Sequence, residues 1–261
     1  MPSNAIIVGG VAKPIPPDLS LDCGVRCRNF DLDGEWRFSR RRKFRKSPRH
    51  IVIHESAGGV DGYATIRSLE RRGYGVHLVI HSNGNITNHG DLVQDRLVHA
   101  NQCNSTSIGV EVINPYYGWR RRGPYTRVMP GSWWTHRKRP RPFTYLLPTP
   151  EQMRTLLSLV PWLCEVVPSV PYTFPTSHLG PKQRRIRGWR RNRPGDDKKT
   201  RGIARRPKSG IVAHRDFASH ADGRYILEEL IKNQVVDEDP VGIVARLAQW
   251  LRRGQVARDS A

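Results

Sequence analysis

The sequence lacks any apolar run long enough to cross a membrane, and it contains few cysteines. A membrane-spanning helix needs about 20 consecutive apolar residues, and no stretch of the 261 residues approaches that length. Cys23 and Cys27 form a close pair, but the second close pair of a four-thiolate zinc site is absent. We expect free thiols in a reducing compartment, with a local disulfide as the alternative. No basic segment precedes the first apolar residues, so we expect no signal peptide and synthesis in the cytoplasm.

Acidic residues are almost absent from three segments that carry most of the positive charge. The formal net charge is +21, and residues 37–49, 119–141 and 176–210 together hold 29 of the 44 basic residues but 2 of the 23 acidic ones. Segments of this kind favour polyanions or anionic surfaces, with solvated arms as the alternative interpretation. Charge alone also suggests a nucleic-acid-binding protein. Because no zinc-finger spacing or nuclease motif supports that class, we expect no specific nucleic-acid partner.

Short apolar runs alternate with amphipathic segments through the middle of the chain. Strands are predicted at 51–54, 76–81, 85–87, 107–114 and 211–214, and a hairpin turn at Asn83 and Gly84. Helices are predicted from Asp61 to about Arg72, from the capping box of Thr149 and Gln152, after Asp222, and at about 241–253. Pro161 is expected to kink or end the second of these helices. The alternation predicts an α/β fold, with a single mixed β-sheet flanked by helices and with basic Arg- and Trp-rich insertions.

Two of the predicted strands end in histidine. His54 follows one buried run and His214 follows another, and ligand sites of α/β sheets collect at such strand ends. Asp222 comes eight positions after His214. Two imidazoles and a carboxylate are a ligand set for a catalytic zinc ion with an open position for water. The alternative is that each histidine is an ordinary core residue.

Glu111 lies inside an otherwise apolar predicted strand. The residues around it are apolar at both odd and even positions, which argues against a simple solvent-facing position. Burying an ionised carboxylate is costly unless it is paired or linked to a metal. A carboxylate beside a metal site can act as a general base, and its pKa can be raised for that purpose.

These motifs, taken in order, resemble the zinc-dependent N-acetylmuramoyl-L-alanine amidases, a superfamily shared with phage amidase lysozymes and peptidoglycan recognition proteins. The resemblance extends from about residue 50 to 233, and its blocks are 51–58, 76–86, 99–100, 104–111, 149–152 and 214–222. Each block is a weak signal alone, whereas six blocks in the family's order are specific.

The resemblance implies a role for the residues already singled out. His54, His214 and Asp222 would be the zinc ligands, with Asp222 at a position where the family carries Asp or Cys. Glu111 would be the catalytic carboxylate. One zinc ion is the implied cofactor.

Four further residues receive roles only from the resemblance. His220 stands where many members have a lysine that stabilises the oxyanion; it would either donate a hydrogen bond there or take the third ligand position. His77 and His99 match positions that line the groove, and they would contact the substrate or support the primary ligands. Asn104 would contact the substrate with them.

The implied reaction is hydrolysis of the amide bond between N-acetylmuramic acid and L-alanine in peptidoglycan. An endolysin that acts on the host cell wall is the expected type, as a monomer whose basic segments contact an anionic cell-wall or outer-membrane surface. The alternative is a non-catalytic recognition module, a class marked in this family by loss of a zinc ligand.

This interpretation divides the chain into three parts. Residues 1–50 are predicted to form an extended arm that ends in a basic run. Residues 51–233 would be the zinc amidase catalytic domain, with insertions at about 115–147 and 176–209. Residues 234–261 would be a helical extension, whose apolar face favours packing against the core or a partner, with membrane binding as the alternative.

Overall fold

A computed structural model of the chain describes residues 4–21, 38, 40–56, 58–115, 125–129, 142–175, 209–216 and 222–234. The strands are β1 (Ala5–Val8), β2 (Val11–Pro14), β3 (Arg42–Lys43), β4 (His50–Glu55), β5 (Leu78–Ile80), β6 (Ile86–Asn88), β7 (Asp95–Arg96), β8 (Ser107–Val112), β9 (Thr126–Met129), β10 (Phe143–Leu146) and β11 (Gly210–Ala213). The helices are α1 (Gly62–Arg71), α2 (Pro150–Val166) and α3 (Arg224–Gln234). Within the described residues no helix has the length and apolar character needed to cross a membrane.

Five strands form one mixed sheet in the order β11-β4-β8-β5-β6. The first four run parallel, and β6 returns antiparallel to β5. Every residue of β4, β5, β8 and β11 is buried, which explains why these strands are mainly continuous apolar runs rather than alternating patterns. The prediction of an α/β fold with one mixed sheet flanked by helices is confirmed.

The two faces of the sheet have different partners. Alternate residues of the strands pack with α2 and α3 in the main core; they include Ile51, Ile53, Leu78, Ile80, Ile108, Val110, Val112 and Ile211. Ile66 of α1 instead packs on the opposite face, with Val79 of β5. Because side chains alternate along a strand, His54 and Glu111 project from this opposite face.

The helix starts follow the predicted capping chemistry. The carboxylate of Asp61 accepts from the backbone N–H groups of Tyr63 and Ala64, and Thr149 and Gln152 form a complete capping box. Pro161 does not end α2, which continues to Val166. A proline inside a helix costs about 3 kcal/mol. Leu163, the second residue after the proline, is buried in the main core. Its burial favours continuation of the helix past Pro161.

The prediction of an extended arm over residues 1–50 is wrong for residues 4–21. β1 and β2 form an antiparallel hairpin, and Ile6, Leu19 and Leu21 pack into the main core. Gly9 and Gly10 occupy the turn with positive φ, and the carboxylate of Asp91 accepts both of their N–H groups. This segment is therefore part of the folded domain.

The predicted 115–147 insertion contains regular structure that the sequence did not indicate. β9 and β10 pair antiparallel, and Tyr145 is fully buried. Other parts of the predicted segments lie outside the described residues: 116–124 and 130–141 of this insertion, 176–208 of the second insertion, and 235–261 of the predicted extension 234–261. Cys23 and Cys27 also lie outside them.

Candidate metal centre

His54, His214 and Asp222 converge at the carboxyl ends of two neighbouring strands. β4 and β11 are parallel with Ile53 opposite Ala213, so the histidines that follow these two residues are adjacent. The Nδ1 atom of His214 lies 2.6 Å from Oδ2 of Asp222, and Nδ1 of His54 lies 3.8 Å from the same oxygen. The three ligand atoms are all within 4.8 Å of one another. The structure thus brings together the three residues predicted as ligands.

The donor chemistry of this set fits a zinc ion. Imidazole nitrogen and carboxylate oxygen are ordinary zinc ligands, and three protein ligands leave a position open for catalysis. Burial by itself would raise the pKa of Asp222, but His214 and His54 hold it well below its usual value, so the carboxylate is an anion. Within the described part of the chain, no other group of His, Cys, Asp or Glu side chains converges in this way.

The carboxylate of Asp222 is held by the residue that follows His54. The backbone N–H of Glu55 donates to Oδ1 of Asp222 at 2.6 Å, and the Glu55 carboxylate accepts the N–H of Gly223 at 3.0 Å. Gly223 has φ +73°, and a Cβ there would collide with the carbonyl of Ile53. Glu55 and Gly223 therefore attach the Asp222 segment closely to the end of β4.

The Glu55 side chain is buried in a hydrogen-bonded pocket that sequence reasoning missed. Tyr145 donates to it through its hydroxyl, 2.6 Å from Oε1, and Asn114 donates through Nδ2 at 2.9 Å. Burial raises the pKa of Glu55 to about 8, against the lowering effect of these donors. The one signal in the sequence was a carboxylate next to a buried strand end, and its partner Tyr145 is 90 residues away.

Glu111 lies beside His54 on the same face of the sheet. The two residues are register partners in the parallel pair β4 and β8, and Glu111 is 7% exposed. Burial raises the pKa of Glu111 well above its usual value, the charge of Asp222 raises it further, and Arg72 acts in the opposite direction. A carboxyl group with a raised pKa can take up a proton and later release it, which is the behaviour of a general base and acid.

His77 and Asn104 have partners inside the protein. His77 is completely buried; its Nε2–H donates to the Asp95 carbonyl at 2.7 Å and its Nδ1 accepts from Gly109 N at 3.0 Å. Burial lowers the pKa of His77 to about 4, which keeps the ring neutral. The Asn104 side-chain oxygen accepts from the N–H groups of His99 and Ala100. The His77 bonds join β7 to β8, and the Asn104 bonds organise the loop before β8. A direct contact of either residue with substrate stays a prediction.

His99 lies directly against the predicted ligand His54. Its Nδ1 is 3.0 Å from Nε2 of His54, and burial lowers the pKa of His99 well below its usual value. His220 is outside the described residues, so both of its predicted roles stay predictions.

Comparisons with known proteins give one family match and several similar solved structures. A family model described as N-acetylmuramoyl-L-alanine amidase matches residues 44–224. Among solved structures, the chain is similar to the endolysin and N-acetylmuramoyl-L-alanine amidase LysCS from Clostridium intestinale URNW, at 14% identity and TM-score 0.41, over 72% of this chain and 86% of that one. An AmpD derivative matches at 14% identity and TM-score 0.39, over 81% of this chain and 98% of that one. Drosophila PGRP-LB matches at 14% identity and TM-score 0.38, over 72% and 82%. No curated protein matches the chain.

Proposed function

The chain belongs to the N-acetylmuramoyl-L-alanine amidase family, and on this premise we propose that it hydrolyses peptidoglycan at the amide bond between N-acetylmuramic acid and the L-alanine of the stem peptide. The observation that supports the proposal most directly is the convergence of His54, His214 and Asp222 next to Glu111. A module that only recognised peptidoglycan would not need a buried carboxyl group beside a complete ligand set.

His54, His214 and Asp222 would hold one zinc ion. When bound there, zinc supplies a Lewis acid for the scissile carbonyl and lowers the pKa of water. The N–H of Glu55 fixes one oxygen of Asp222, so the other oxygen is left directed toward the two imidazoles. The protein therefore holds its ligands in place through a bond network that extends to β10.

Glu111 is the residue proposed to move the proton. As a carboxylate it accepts a proton from the attacking water, and as a carboxylic acid it returns that proton to the departing nitrogen. The products are the free carboxylate of the lactyl group and the free amino group of L-alanine. A buried site suits this exchange, because burial brings the pKa of Glu111 closer to the working pH than that of an exposed glutamate.

The basic run before β4 offers a surface for an anionic wall polymer. Arg40, Arg41, Arg42, Lys43, Arg45 and Lys46 are all exposed. Pairing of β3 with β7, and stacking of Phe44 on His77 at 6.0 Å, attach this run to the domain. We propose that the run adds electrostatic affinity for cell-wall or outer-membrane surfaces. Replacing the four residues 40–43 by glutamine should weaken wall binding at low salt and flatten its salt dependence, and an unchanged salt profile would contradict this role.

An endolysin role extends the proposal to biology: synthesis in the cytoplasm and attack on the wall of the host cell. Producing the protein in a bacterial cytoplasm with and without a membrane-permeabilising partner tests it. Lysis only when the protein and the permeabilising partner are produced together would support the role. If purified enzyme degrades isolated walls but cells lyse neither with nor without the partner, the role is contradicted.

The decisive experiment identifies the bond that is cleaved. Purified peptidoglycan is digested with the wild type and with His214→Ala, and new amino groups and new reducing sugars are both measured. The proposal expects new N-terminal alanine without new reducing ends, and loss of that product in the variant. New reducing ends, or full activity of His214→Ala, would overturn it.

A further inference from the structure

We propose that His99 is a positioning residue for the metal ligand His54: it accepts the Nε2–H of His54 and thereby directs Nδ1 of His54 at the metal site. The inference rests on the metal site of the proposed function, but it does not depend on which bond the enzyme cleaves.

The two nitrogens of His54 have different neighbours. Nδ1 is the atom 3.8 Å from Oδ2 of Asp222, and Nε2 is the atom 3.0 Å from Nδ1 of His99. A ring nitrogen that binds a metal carries no proton, so the proton of a neutral ligand imidazole sits on the other nitrogen. His54 must then donate from Nε2, and Nδ1 of His99 is the acceptor in reach.

The partners of His99 agree with this tautomer. If Nδ1 of His99 accepts, its Nε2 carries the proton, and that nitrogen lies 3.3 Å from both the carbonyl oxygen and the hydroxyl of Ser107. The Ser107 hydroxyl donates to the Cys103 carbonyl at 2.8 Å, which leaves its oxygen as an acceptor for His99. A single assignment of the ring protons therefore gives every hydrogen bond from His54 through His99 and Ser107 to Cys103 one donor and one acceptor.

The ring of His99 is fixed by its surroundings. A Cβ at Gly109 of β8 would lie 2.8 Å from the ring, so glycine is what allows the ring to lie against the strand. The His99 backbone N–H is held by Asn104 at 2.9 Å, and His77 packs edge-on at 5.9 Å between ring centroids. The protein's own contacts therefore fix the His99 ring against His54.

Ligating histidines usually donate their second N–H to a carboxylate, a backbone carbonyl or water, and loss of such a partner lowers metal affinity by about 10- to 100-fold. An imidazole acceptor fills this position here without adding negative charge. In this proposal His99 supports a ligand, which is one of the two roles that its sequence position suggested.

The test is zinc affinity, measured by competition with a chelator on the full chain. His99→Phe keeps a ring over Gly109 and removes the acceptor, while His99→Gln keeps an acceptor. His81→Phe is the matched control, because His81 is a buried histidine at the end of β5 whose Nε2 lies 3.1 Å from the Thr87 hydroxyl rather than beside His54. We expect the Kd for Zn²⁺ to rise about 10- to 100-fold in His99→Phe, less in His99→Gln, and less than about twofold in the control.

Nitrogen-15 NMR of the zinc-loaded wild type provides a second readout that needs no variant. The inference expects a proton on Nε2 of His54 and coupling across the hydrogen bond to Nδ1 of His99. Metal bound through Nε2 of His54, or zinc affinity of a folded His99→Phe within twofold of wild type, would overturn it. A wild type that binds no zinc would instead overturn the metal part of the proposed function.

Discussion

Two strands of the same sheet, β4 and β5, have nearly the same sequence before a histidine, but the two histidines lie in different environments. His54 lies near the end of β4 and follows Ile51-Val52-Ile53, and His81 directly follows β5, whose residues are Leu78-Val79-Ile80. Both histidines are buried, at 4% and 7% exposure. His54 contacts His214, His99 and Asp222, whereas His81 contacts the hydroxyl of Thr87 and the ring of Tyr63.

The difference comes from the strand beside each histidine. β11 runs parallel to β4, so its carboxyl end places His214 next to His54. β6 runs antiparallel to β5, so the residues beside His81 are those of the hairpin and of the start of β6. His54 therefore lies in a group of side chains that could hold a metal ion, and among the described residues His81 lies in no such group.

The largest expected difference is between His54→Asn and His81→Asn. Loss of His54 should abolish stoichiometric zinc binding and lower peptidoglycan hydrolysis at least about 1000-fold, because the ion's Lewis acidity contributes several kcal/mol. His81→Asn should keep zinc and most activity, and lose about 1–3 kcal/mol of stability with its bond to Thr87. Metal content by mass spectrometry and the rate of amino-group release check both. Equal loss of zinc in the two variants would break the comparison.

Glu111→Gln separates chemistry from metal binding on the β4 side of the sheet. Glu111 has His54 on one side and Val79 of β5 on the other, so only one of its neighbours belongs to the metal site. The substitution should lower the hydrolysis rate about 100- to 10,000-fold, because the proton acceptor is lost. Zinc affinity should stay near that of wild type.

The control for this variant is Glu70→Gln, on the exposed surface of α1, which should retain full activity. Full activity of Glu111→Gln would remove Glu111 from the mechanism.

Two glycines make room for the two histidine environments, and adding a methyl group to each sharpens the contrast. A Cβ at Gly109 collides with His99, and a Cβ at Gly62 collides with His81. Each substitution by alanine should cost about 1–3 kcal/mol through overpacking. Gly109→Ala should also weaken zinc binding, since it displaces the partner of His54, while Gly62→Ala should not. Unfolding in urea and chelator competition measure the two effects, and equal zinc affinities would contradict the proposed role of His99.

The residues that follow the two histidines give a last prediction, which concerns how stability depends on pH. Glu55 follows His54 and is buried, whereas Ser82 follows His81 and is exposed. In metal-free protein Glu55 keeps its proton up to about pH 8, against about 4.5 for an ordinary glutamate. The unfolded chain therefore releases this proton at lower pH, and stability declines as pH rises through that window.

The measurement is the free energy of unfolding, in EDTA, of wild type and Glu55→Gln between pH 4.5 and 8. Wild type should lose stability relative to the variant as pH rises, by at most about 5 kcal/mol for a pKa difference of this size. Parallel pH profiles would show that the Glu55 side chain is already ionised in the folded protein. The carboxylate, rather than the carboxylic acid, would then make the bonds to Tyr145 and Gly223.

The local features of the fold were readable from the sequence because local chemistry decides them. Asp61 and Thr149 cap helices through atoms two or three residues away, and the strand of Glu111 is recognisable as a buried apolar run. The N-terminal hairpin was missed because its apolar run is short and lies among prolines and glycines. Its burial depends on contacts with α2 and β6 that no local pattern reveals.

The sequence by itself determined the family, the strands that lead to His54 and His214, and the candidate set His54, Glu111, His214 and Asp222, since motif order and strand burial are properties of the chain. Only the tertiary structure decided what holds that set: Glu55 bonded to Tyr145 and Gly223, and His99 lying over Gly109 against His54. The physical reason is that the type of a residue is local, whereas the orientation of the His54 and Asp222 side chains depends on hydrogen bonds to residues 45 and 167 positions away.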